Sequence, residues 1–448
     1  MATNRIGFST DFVLVNNKVG IGTTNPTSKL QVAGDVTAFD FYNDADYPNV
    51  RPTLDLAFAQ TKILDSRITF TRASTATYVN SIGILTTAAV NEPRFDHNPT
   101  TGESLGLLVE EARTNLITYS QQFDNAAWGK PINTTVTANT HVAPDGTTTA
   151  DTINAIDNQI IGNVAVTAST TYTVSVFIRK TTGATLFPML VVNEFSSDQQ
   201  RVLNTNTGQL VVRNAALNTG IQCESVGSYW HVSYSGNVGA NTILDFLIYP
   251  AASTNGSNYS GGTGSIVAWG AQVEPGSFPT SYIPTTTATV TRSADVASMT
   301  GTNFSSWYNQ NEGTLFAQAR LNFFLSTSSV FPSIYQIGDY PNRLWALYLN
   351  NVVNILTIGA DVHSRNLQTL TSSPQLFKVA QALSNTSLTY SASKDGATSL
   401  TGSLSSAVTN TTSLYIGGPN VGATKHIARL AYYPVRLTDT QLQALTAS

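Results

Sequence analysis

The sequence predicts an all-β protein with two tandem β-sandwich (jelly-roll) domains, and two observations support this. Charged residues make up only 11% of the 448 residues, whereas Thr, Ser, Asn and Gly are abundant beside 18 Tyr and 19 Phe. These residue types favour short strands and hydrogen-bonded turns, while long helices need Ala, Glu, Lys and Leu. Short segments of alternating apolar and polar residues also follow one another with Gly and Asn between them, which is typical of sandwiches.

Charge and hydropathy exclude several classes of function. The chain has 23 basic and 27 acidic residues and a net charge of −4, without the clustered Lys and Arg that nucleic acid or an anionic membrane surface requires. No apolar run reaches about 18 residues, so membrane insertion is not expected. The first residues, MATNRIGFSTDF, show no secretory signal, and the single cysteine, Cys223, allows no intrachain disulfide. Export through a signal peptide is therefore not expected.

Residues 1–40 are predicted to form an assembly segment. Its short β-forming residues lie between Gly, Asn and Pro turns: Val19, Ile21, Leu30, Val32 and Val36. Such fragments become stable when several copies wrap around one axis. The stretch Lys18 to Asp35 closely resembles the VGIGTTNPxxKLxVxG segment of phage tail fibres and related trimeric fibre proteins. This resemblance implies a homotrimer whose N-terminal segment docks to other virion proteins. A floppy leader is the alternative.

Residues 41–110 are interpreted as a connector block. The piece ITFTRASTATYV alternates as a half-buried strand does, Asn98-Pro99 and Thr101-Gly102 mark a turn, and LGLLVE is a following strand. The pieces RPTLDLAF and PRFDHNPTTGESLGLLVEEARTNL resemble a block of many phage tail and structural proteins. We expect this block to lead the chain into the first sandwich.

Residues 111–285 are predicted to be the first sandwich. The strand signals are Tyr172–Arg179, Leu186–Val192, Gln209–Val212, Trp230–Ser235, Ile243–Tyr249 and Ile266–Val273. Both ends of the region, NLITYSQQFDNAAWGK and VAWGAQVEPGSFPTSYIPT, resemble the ends of galactose-binding-like jelly rolls in phage proteins. That fold class includes many carbohydrate-binding modules.

Residues 286–448 are predicted to be the second sandwich, entered through the polar linker TTTATVTRSADVASMTG. The order of the pieces NEGTLFAQARLNF, RLWALYL, SLTYSASKDG, SLYIGG and IARLAYYPVRLTDTQLQALT resembles the concanavalin-like (laminin-G-like) sandwich. Thr438 and Gln441 are spaced as a capping box that opens a short terminal helix.

Catalysis is not expected. The five histidines are scattered and form neither an HxH nor an HExxH pair, and no GxSxG elbow is present. The acidic residues of 286–448 do not have the spacing of a glycosidase pair on one strand. No cofactor is expected except a structural Ca²⁺, for which Glu110 and Glu274 are the candidates, because they lie where the first and last strands of a jelly roll meet. Solvated charges, or an ion pair with Arg113, are the alternative.

Candidate ligand-binding residues lie in polar loops, since loops at the ends of sandwiches usually carry recognition. Trp128, in the loop DNAAWGK, is better placed to be exposed than Trp269, which alternates within a strand and is expected in the core. Core packing is the alternative for Trp128 and the more frequent fate of large rings. The other candidates are Asp339, Tyr340, Asn342, Arg343 and Trp345, and the loop residues Asp361 and His363. Ordinary turns without a ligand remain the alternative.

These features together indicate a bacteriophage virion structural protein, a tail fibre or receptor-binding protein that adsorbs to host surface glycans. One alternative is a capsid decoration, head fibre, or collar or tail component whose sandwiches contact other virion proteins, because lectin-like folds are reused for protein contacts. The other alternative is a glycan-degrading tail-spike enzyme.

Overall fold

A computed structural model describes residues 12–15, 18–21, 30–32, 50–183, 186–195, 200–212, 221–254, 259–321, 333–338, 343–349, 352–358, 362–369, 375–418 and 424–447. The all-β prediction is confirmed, since the described helices are short: α1 (Phe58–Thr61), α2 (Thr302–Ser305) and α3 (Asp439–Ala447). None of the helices within these ranges has the length and apolar character needed to cross a membrane. The chain divides into two compact units, Met1–Asn49 and Val50–Ser448.

The N-terminal unit contains, in its described part, the strands β1 (Phe12–Val15), β2 (Lys18–Ile21) and β3 (Leu30–Val32). Strand β2 pairs antiparallel with β1 and parallel with β3. The predicted β-forming residues Val19, Ile21, Leu30 and Val32 lie in these strands, and Val36 lies outside the described residues. The trimer stays a prediction.

The larger unit begins with the strands β4 (Leu54–Leu56), β5 (Thr69–Thr71), β6 (Ala76–Val79), β7 (Leu85–Ala88), β8 (Arg94–His97) and β9 (Ser104–Val109). The strands β6 and β7 form a hairpin. Gly102 and Asn98 form the turn before β9, where the Gly102 N–H donates to the Asn98 carbonyl at 2.9 Å.

The first sandwich contains the strands β10 (Arg113–Asn115), β11 (Thr134–His141), β12 (Ala150–Ala155), β13 (Ile160–Ala165), β14 (Thr171–Arg179), β15 (Met189–Val192), β16 (Gln200–Leu203), β17 (Leu210–Val212), β18 (Gln222–Val226), β19 (Tyr229–Asn237), β20 (Ile243–Tyr249), β21 (Ala252–Thr254), β22 (Tyr259–Gly261) and β23 (Gly264–Pro275). Sheet I has the order β11-β12-β23-β14-β19-β18, and sheet II has the order β13-β20-β15-β16-β17.

The core of the first sandwich lies between sheets I and II. Alternate residues of β14, Val174, Val176 and Ile178, are buried against sheet II because successive side chains of a strand point to opposite faces. On the other face of sheet I, Phe177 packs edge-on against Trp269 with ring centroids 5.4 Å apart. Trp269 is completely buried, which confirms its predicted core position.

Strand β24 (Val290–Arg292) pairs with β10 in a separate two-stranded sheet. The second sandwich adds the strands β25 (Val296–Thr300), β26 (Glu312–Leu321), β27 (Ser333–Ile337), β28 (Arg343–Leu349), β29 (Val352–Ile358), β30 (Val362–Thr369), β31 (Gln375–Ser384), β32 (Thr389–Lys394), β33 (Leu400–Ser403), β34 (Ser413–Ile416) and β35 (Lys425–Tyr433). Sheet III has the order β30-β29-β28-β27-β34-β25-β5, and sheet IV has the order β33-β32-β31-β26-β35-β9-β8. The predicted capping box is present before α3, since the Thr438 N–H donates to Gln441 Oε1 at 3.0 Å and the Gln441 N–H donates to Thr438 Oγ1 at 3.3 Å.

The interpretation of residues 41–110 as a connector is corrected by the pairing of its strands. Strand β9 pairs with β35, β4 pairs with β35 as well, and β5 pairs with β25. Leu54, Leu107 and Val109 are buried in the core between sheets III and IV. The described part of the block, from residue 50 onward, therefore belongs to the second sandwich. The first sandwich is inserted in the sequence between this part and the remaining strands of the second sandwich.

A buried ion network lies where the block meets the strands that follow the first sandwich. Arg94 donates to Glu110 at 2.8 Å and to Asp295 at 2.5 Å, while Arg72 donates to Asp295 at 3.0 Å. Arg292 lies 3.3 Å from the Glu110 carboxylate. The side chains of Arg94 and Asp295 have no exposed surface. Because each charge has a partner of opposite sign, the network can exist without solvent.

Candidate functional site

The predicted loop candidates of the second sandwich are only partly described. Asp339, Tyr340, Asn342 and Asp361 lie outside the described residues.

The remaining candidates of this group lie in sheet III. Arg343 is the first residue of β28, Trp345 lies within it, and His363 belongs to β30 rather than to a loop. Ligand binding by these residues stays a prediction.

The expectation of an exposed Trp128 is wrong. Only 2% of the residue is accessible, and its ring packs edge-on against Phe123 with centroids 4.7 Å apart. The neighbouring Gly129 forms a β-bridge with Ile161 of sheet II, so the polar loop folds over the sheet and carries the ring into the core. The indole N–H donates to the Tyr119 carbonyl at 3.1 Å. A ring covered in this way offers no face to a ligand.

The residues around Glu110 do not fit a calcium ion. Its carboxylate accepts from Arg94 and from the Ser281 N–H, both at 2.8 Å, and lies beside Arg292. Two guanidinium cations at this distance repel a divalent cation and supply the neutralising charge themselves. Burial opposes ionisation, but Arg292 and Arg94 together hold the pKa of Glu110 well below its usual range.

Glu274 is also occupied by protein donors. It accepts from Gln272 at 2.8 Å and from the N–H and hydroxyl of Thr280 at 2.9 and 2.7 Å. Burial raises the pKa of this carboxyl. Within the described ranges no group of three or more His, Cys, Asp or Glu side chains could hold a metal ion. The sequence also allowed an ion pair between Arg113 and one of these carboxylates. Arg113 instead forms its ion pair with Glu111, the residue that follows Glu110.

The best candidate for a binding site is a cleft of about 310 Å³ between the two sandwiches. Sheets I and IV supply its two walls with the faces that point away from their own cores. The β6–β7 hairpin contributes Tyr78, Val79 and Leu85, and the segment after β23 contributes residues 279–282. The cleft thus combines apolar surface with a few charged side chains, as small-ligand sites do.

The wall from sheet I is a row of three side chains on neighbouring strands. Glu224 of β18 lies opposite His231 of β19, and His231 lies opposite Phe177 of β14. The rings of Phe177 and His231 are stacked, with centroids 4.4 Å apart and an interplanar angle of 20°. The row therefore changes from an aromatic surface to a carboxylate at the sheet edge.

The wall from sheet IV carries Arg320, His426 and Asp96. Arg320 of β26 is paired with His426 of β35. His426 Nε2 lies 2.7 Å from a carboxylate oxygen of Asp96, and the other oxygen accepts from the Val79 N–H at 2.7 Å. Asp96 therefore has protein partners on both oxygens.

Glu224 and Arg320 differ from these groups because they have no direct partner. Among the described residues, neither the Glu224 carboxylate nor the Arg320 guanidinium makes a hydrogen bond or an ion pair. Burial raises the pKa of Glu224, and the charges of Arg320 and His426 oppose this rise. Two half-buried groups of opposite charge thus line one cavity, each with free hydrogen-bonding capacity.

The cleft was not predicted from the sequence. Three of the five histidines, His97, His231 and His426, line the cleft, although they are more than 300 residues apart at the extremes and looked scattered. The local signal was weak, because Glu224, Arg320 and His426 lie in strands that read as ordinary half-buried segments. Only the pairing of distant strands brings them together.

The position of His231 predicts a pH-dependent stability. Burial lowers the pKa of His231 to about 4, whereas an unfolded histidine has a pKa of about 6.5. Below pH 6.5 the unfolded chain binds a proton that the folded chain does not bind, so the free energy of unfolding decreases as the pH falls towards 4. We expect His231→Phe, which keeps a ring against Phe177, to lose less stability than the wild type between pH 7.5 and 4.5, by about 2–3 kcal/mol.

Urea unfolding curves of both proteins at pH 7.5, 5.5 and 4.5 check this expectation. Parallel loss of stability in the wild type and in His231→Phe would contradict it.

Comparison with known proteins gives no family. No family model and no curated protein matches the sequence. Among solved structures, the CBM40 of the Ruminococcus gnavus IT-sialidase bound to alpha2,3 sialyllactose is 16% identical with a TM-score of 0.27, over 33% of this chain and 88% of that chain. The receptor binding domain of botulinum neurotoxin C/D mosaic serotype is 10% identical with a TM-score of 0.29, over 34% of this chain and 40% of that chain. The Streptococcus pneumoniae NanB sialidase is 8% identical with a TM-score of 0.28, over 33% of this chain and 26% of that chain. Similarities at this level carry no functional argument.

Proposed function

We propose that this protein is a structural component of a phage virion, a tail fibre or receptor-binding protein that adsorbs to host surface glycans. The observation that carries the binding function is the cleft between the sandwiches, a cavity of about 310 Å³ in which neither Glu224 nor Arg320 makes a hydrogen bond or a direct ion pair with any residue of the described ranges. A protein that served only as a rigid spacer would gain stability from pairing these charges or from replacing them, since an unpaired half-buried charge is unfavourable.

The virion location is supported by the N-terminal segment. Its resemblance to trimeric fibre proteins covers Lys18 to Asp35, and the strands β2 and β3 fall within that stretch. A trimer would present three copies of the cleft, and multivalency strengthens the weak binding that is usual for single glycan sites.

We expect the intact protein to bind a subset of glycans on an array and to bind envelope fractions of its host. Light scattering is expected to report a trimer. The absence of binding to both arrays and envelope fractions, with the trimer intact, would contradict the proposed function.

Labelling of virus particles that contain this chain distinguishes the alternative. Label at the tail supports a receptor-binding fibre, whereas label distributed over the whole capsid would show that the protein is a capsid decoration.

A further inference from the structure

We propose that the cleft binds an uncharged saccharide whose hydroxyl groups donate to Glu224 and accept from Arg320. This inference rests on the proposed glycan-binding function and names the chemical class of the ligand. It also assigns the binding site to the junction of the two sandwiches rather than to the loops at their ends.

The charges that line the cleft select against ionic ligands. The open groups are one carboxylate, Glu224, and one guanidinium, Arg320, so their formal charges cancel. Asp96 is engaged by His426 and by the Val79 N–H. Glu110 is held by Arg94. The cleft therefore offers one site for a hydrogen-bond donor and one for an acceptor, with no surplus of either charge.

A sugar hydroxyl meets both requirements, because it can donate to a carboxylate and accept from a guanidinium. Hydrogen bonds to charged groups are also stronger than those between neutral groups. An acidic sugar that paired with Arg320 would also bring its carboxylate close to Glu224 and Asp96, where like charges repel. A cationic ligand that paired with Glu224 would meet the same repulsion at Arg320. Neutral saccharides avoid both costs.

The apolar part of the cleft fits the C–H groups of a sugar ring, whereas the charged groups bind its hydroxyls. The accessible ring is the half-buried imidazole of His231, which stacks on Phe177; Phe177, Leu85 and Leu108 are buried and form the floor of the cavity. The pKa of His231, lowered to about 4 by burial, keeps this ring neutral at physiological pH, so it presents an aromatic surface rather than a cation. The volume is near the lower end of the range of about 300–1,000 Å³ for small-ligand sites, which favours a mono- or disaccharide unit at the end of a glycan.

The test uses the full chain and a panel of soluble probes. Lactose, maltose, mannose and N-acetylglucosamine are the neutral probes, and 3′-sialyllactose and galacturonate are the acidic probes. Binding is measured by saturation-transfer NMR and by calorimetry. We expect at least one neutral probe to bind, and we expect every acidic probe to bind more weakly than that neutral sugar.

The variants Glu224→Gln and Arg320→Gln localise the site. Glu224→Gln removes the carboxylate charge with little change in shape, whereas Arg320→Gln removes the guanidinium and shortens the side chain. Each is expected to weaken binding of the neutral probe at least tenfold. Glu103→Gln and Arg51→Gln are the matched controls, because both residues are exposed on the same unit and lie outside the cleft. The controls are expected to bind as the wild type does.

The outcomes separate this inference from the proposed function. If the protein binds glycans but Glu224→Gln and Arg320→Gln bind as tightly as the controls, the cleft is not the site and the inference fails alone. Tighter binding of acidic probes than of neutral ones would also overturn it. If neither the arrays nor the soluble probes show any binding, the proposed function fails as well.

Discussion

Replacement of Arg94 by Met is expected to reduce the free energy of unfolding by about 3–5 kcal/mol, because it removes one partner from a buried ion network. Arg94 donates to two different carboxylates, Glu110 at 2.8 Å and Asp295 at 2.5 Å. Its side chain has no exposed surface, and neither carboxylate can reach solvent to recover the lost interaction. Glu110 would keep Arg292 and Asp295 would keep Arg72, but each carboxylate would lose a charged hydrogen-bond donor that water cannot replace in the interior.

An exposed ion pair serves as the control that separates the effect of burial from the loss of an ion pair alone. Arg429 donates to both carboxylate oxygens of Asp55 at 2.9 Å, but the Asp55 side chain is 40% exposed. Asp55→Asn is therefore expected to cost less than about 1 kcal/mol. Chemical denaturation of both variants at pH 7 checks the pair of values. Similar losses in Arg94→Met and Asp55→Asn would show that burial of the network contributes little.

The ion network also explains why the cleft can keep its shape. Glu110 accepts from Ser281, which follows the first sandwich, and Thr424, just before β35, donates to Glu110 at 3.1 Å. One buried carboxylate thus contacts both sandwiches. Since Tyr282 and His426 line the cleft immediately beside these residues, the network fixes the two walls relative to each other. A site formed by two domains requires such a fixed arrangement to bind without a large ordering cost.

Local features of the fold could be predicted from the sequence. The strand Ile243–Tyr249 has the bounds that the alternation of residues predicted, and Thr438 and Gln441 form the capping box expected from their spacing. These features depend on residues within a few positions of one another. The polar loop around Trp128 was misinterpreted because its composition is that of an exposed turn, whereas its bridge to Ile161 depends on a strand that follows about 30 residues later.

The candidate site could not be predicted in the same way. Asp96, Glu224, Arg320 and His426 come from four distant strands, and no two of them are close enough in sequence to form a motif. Their approach depends on β8 and β9 joining sheet IV, which places Asp96 near His426. An alternating strand does not specify its partner, so this pairing is not encoded in any local pattern.

The expected failure of a fragment provides the most direct test of that pairing. A fragment of residues 286–448, the second sandwich as the sequence defined it, is expected not to fold. It lacks β9, which lies between β35 and β8 in sheet IV, and β5, which lies beside β25 in sheet III. Without these strands the hydrogen-bonding groups along one side of β35 are exposed, and an unpaired edge promotes aggregation.

The loss of buried apolar side chains is also expected to prevent folding of the fragment. The fragment also lacks Leu54, Leu56, Phe58, Leu107 and Val109, each at most 3% exposed in the core between sheets III and IV. Burial of such side chains contributes about 1.5–3 kcal/mol each, so their combined loss is comparable with the total stability of a domain, about 5–15 kcal/mol. We expect no cooperative thermal transition for 286–448, whereas the control fragment 50–448, which retains the whole larger unit, should unfold cooperatively. A soluble, monomeric fragment 286–448 with a cooperative transition would mean that the second sandwich folds without the strands β4, β5, β8 and β9.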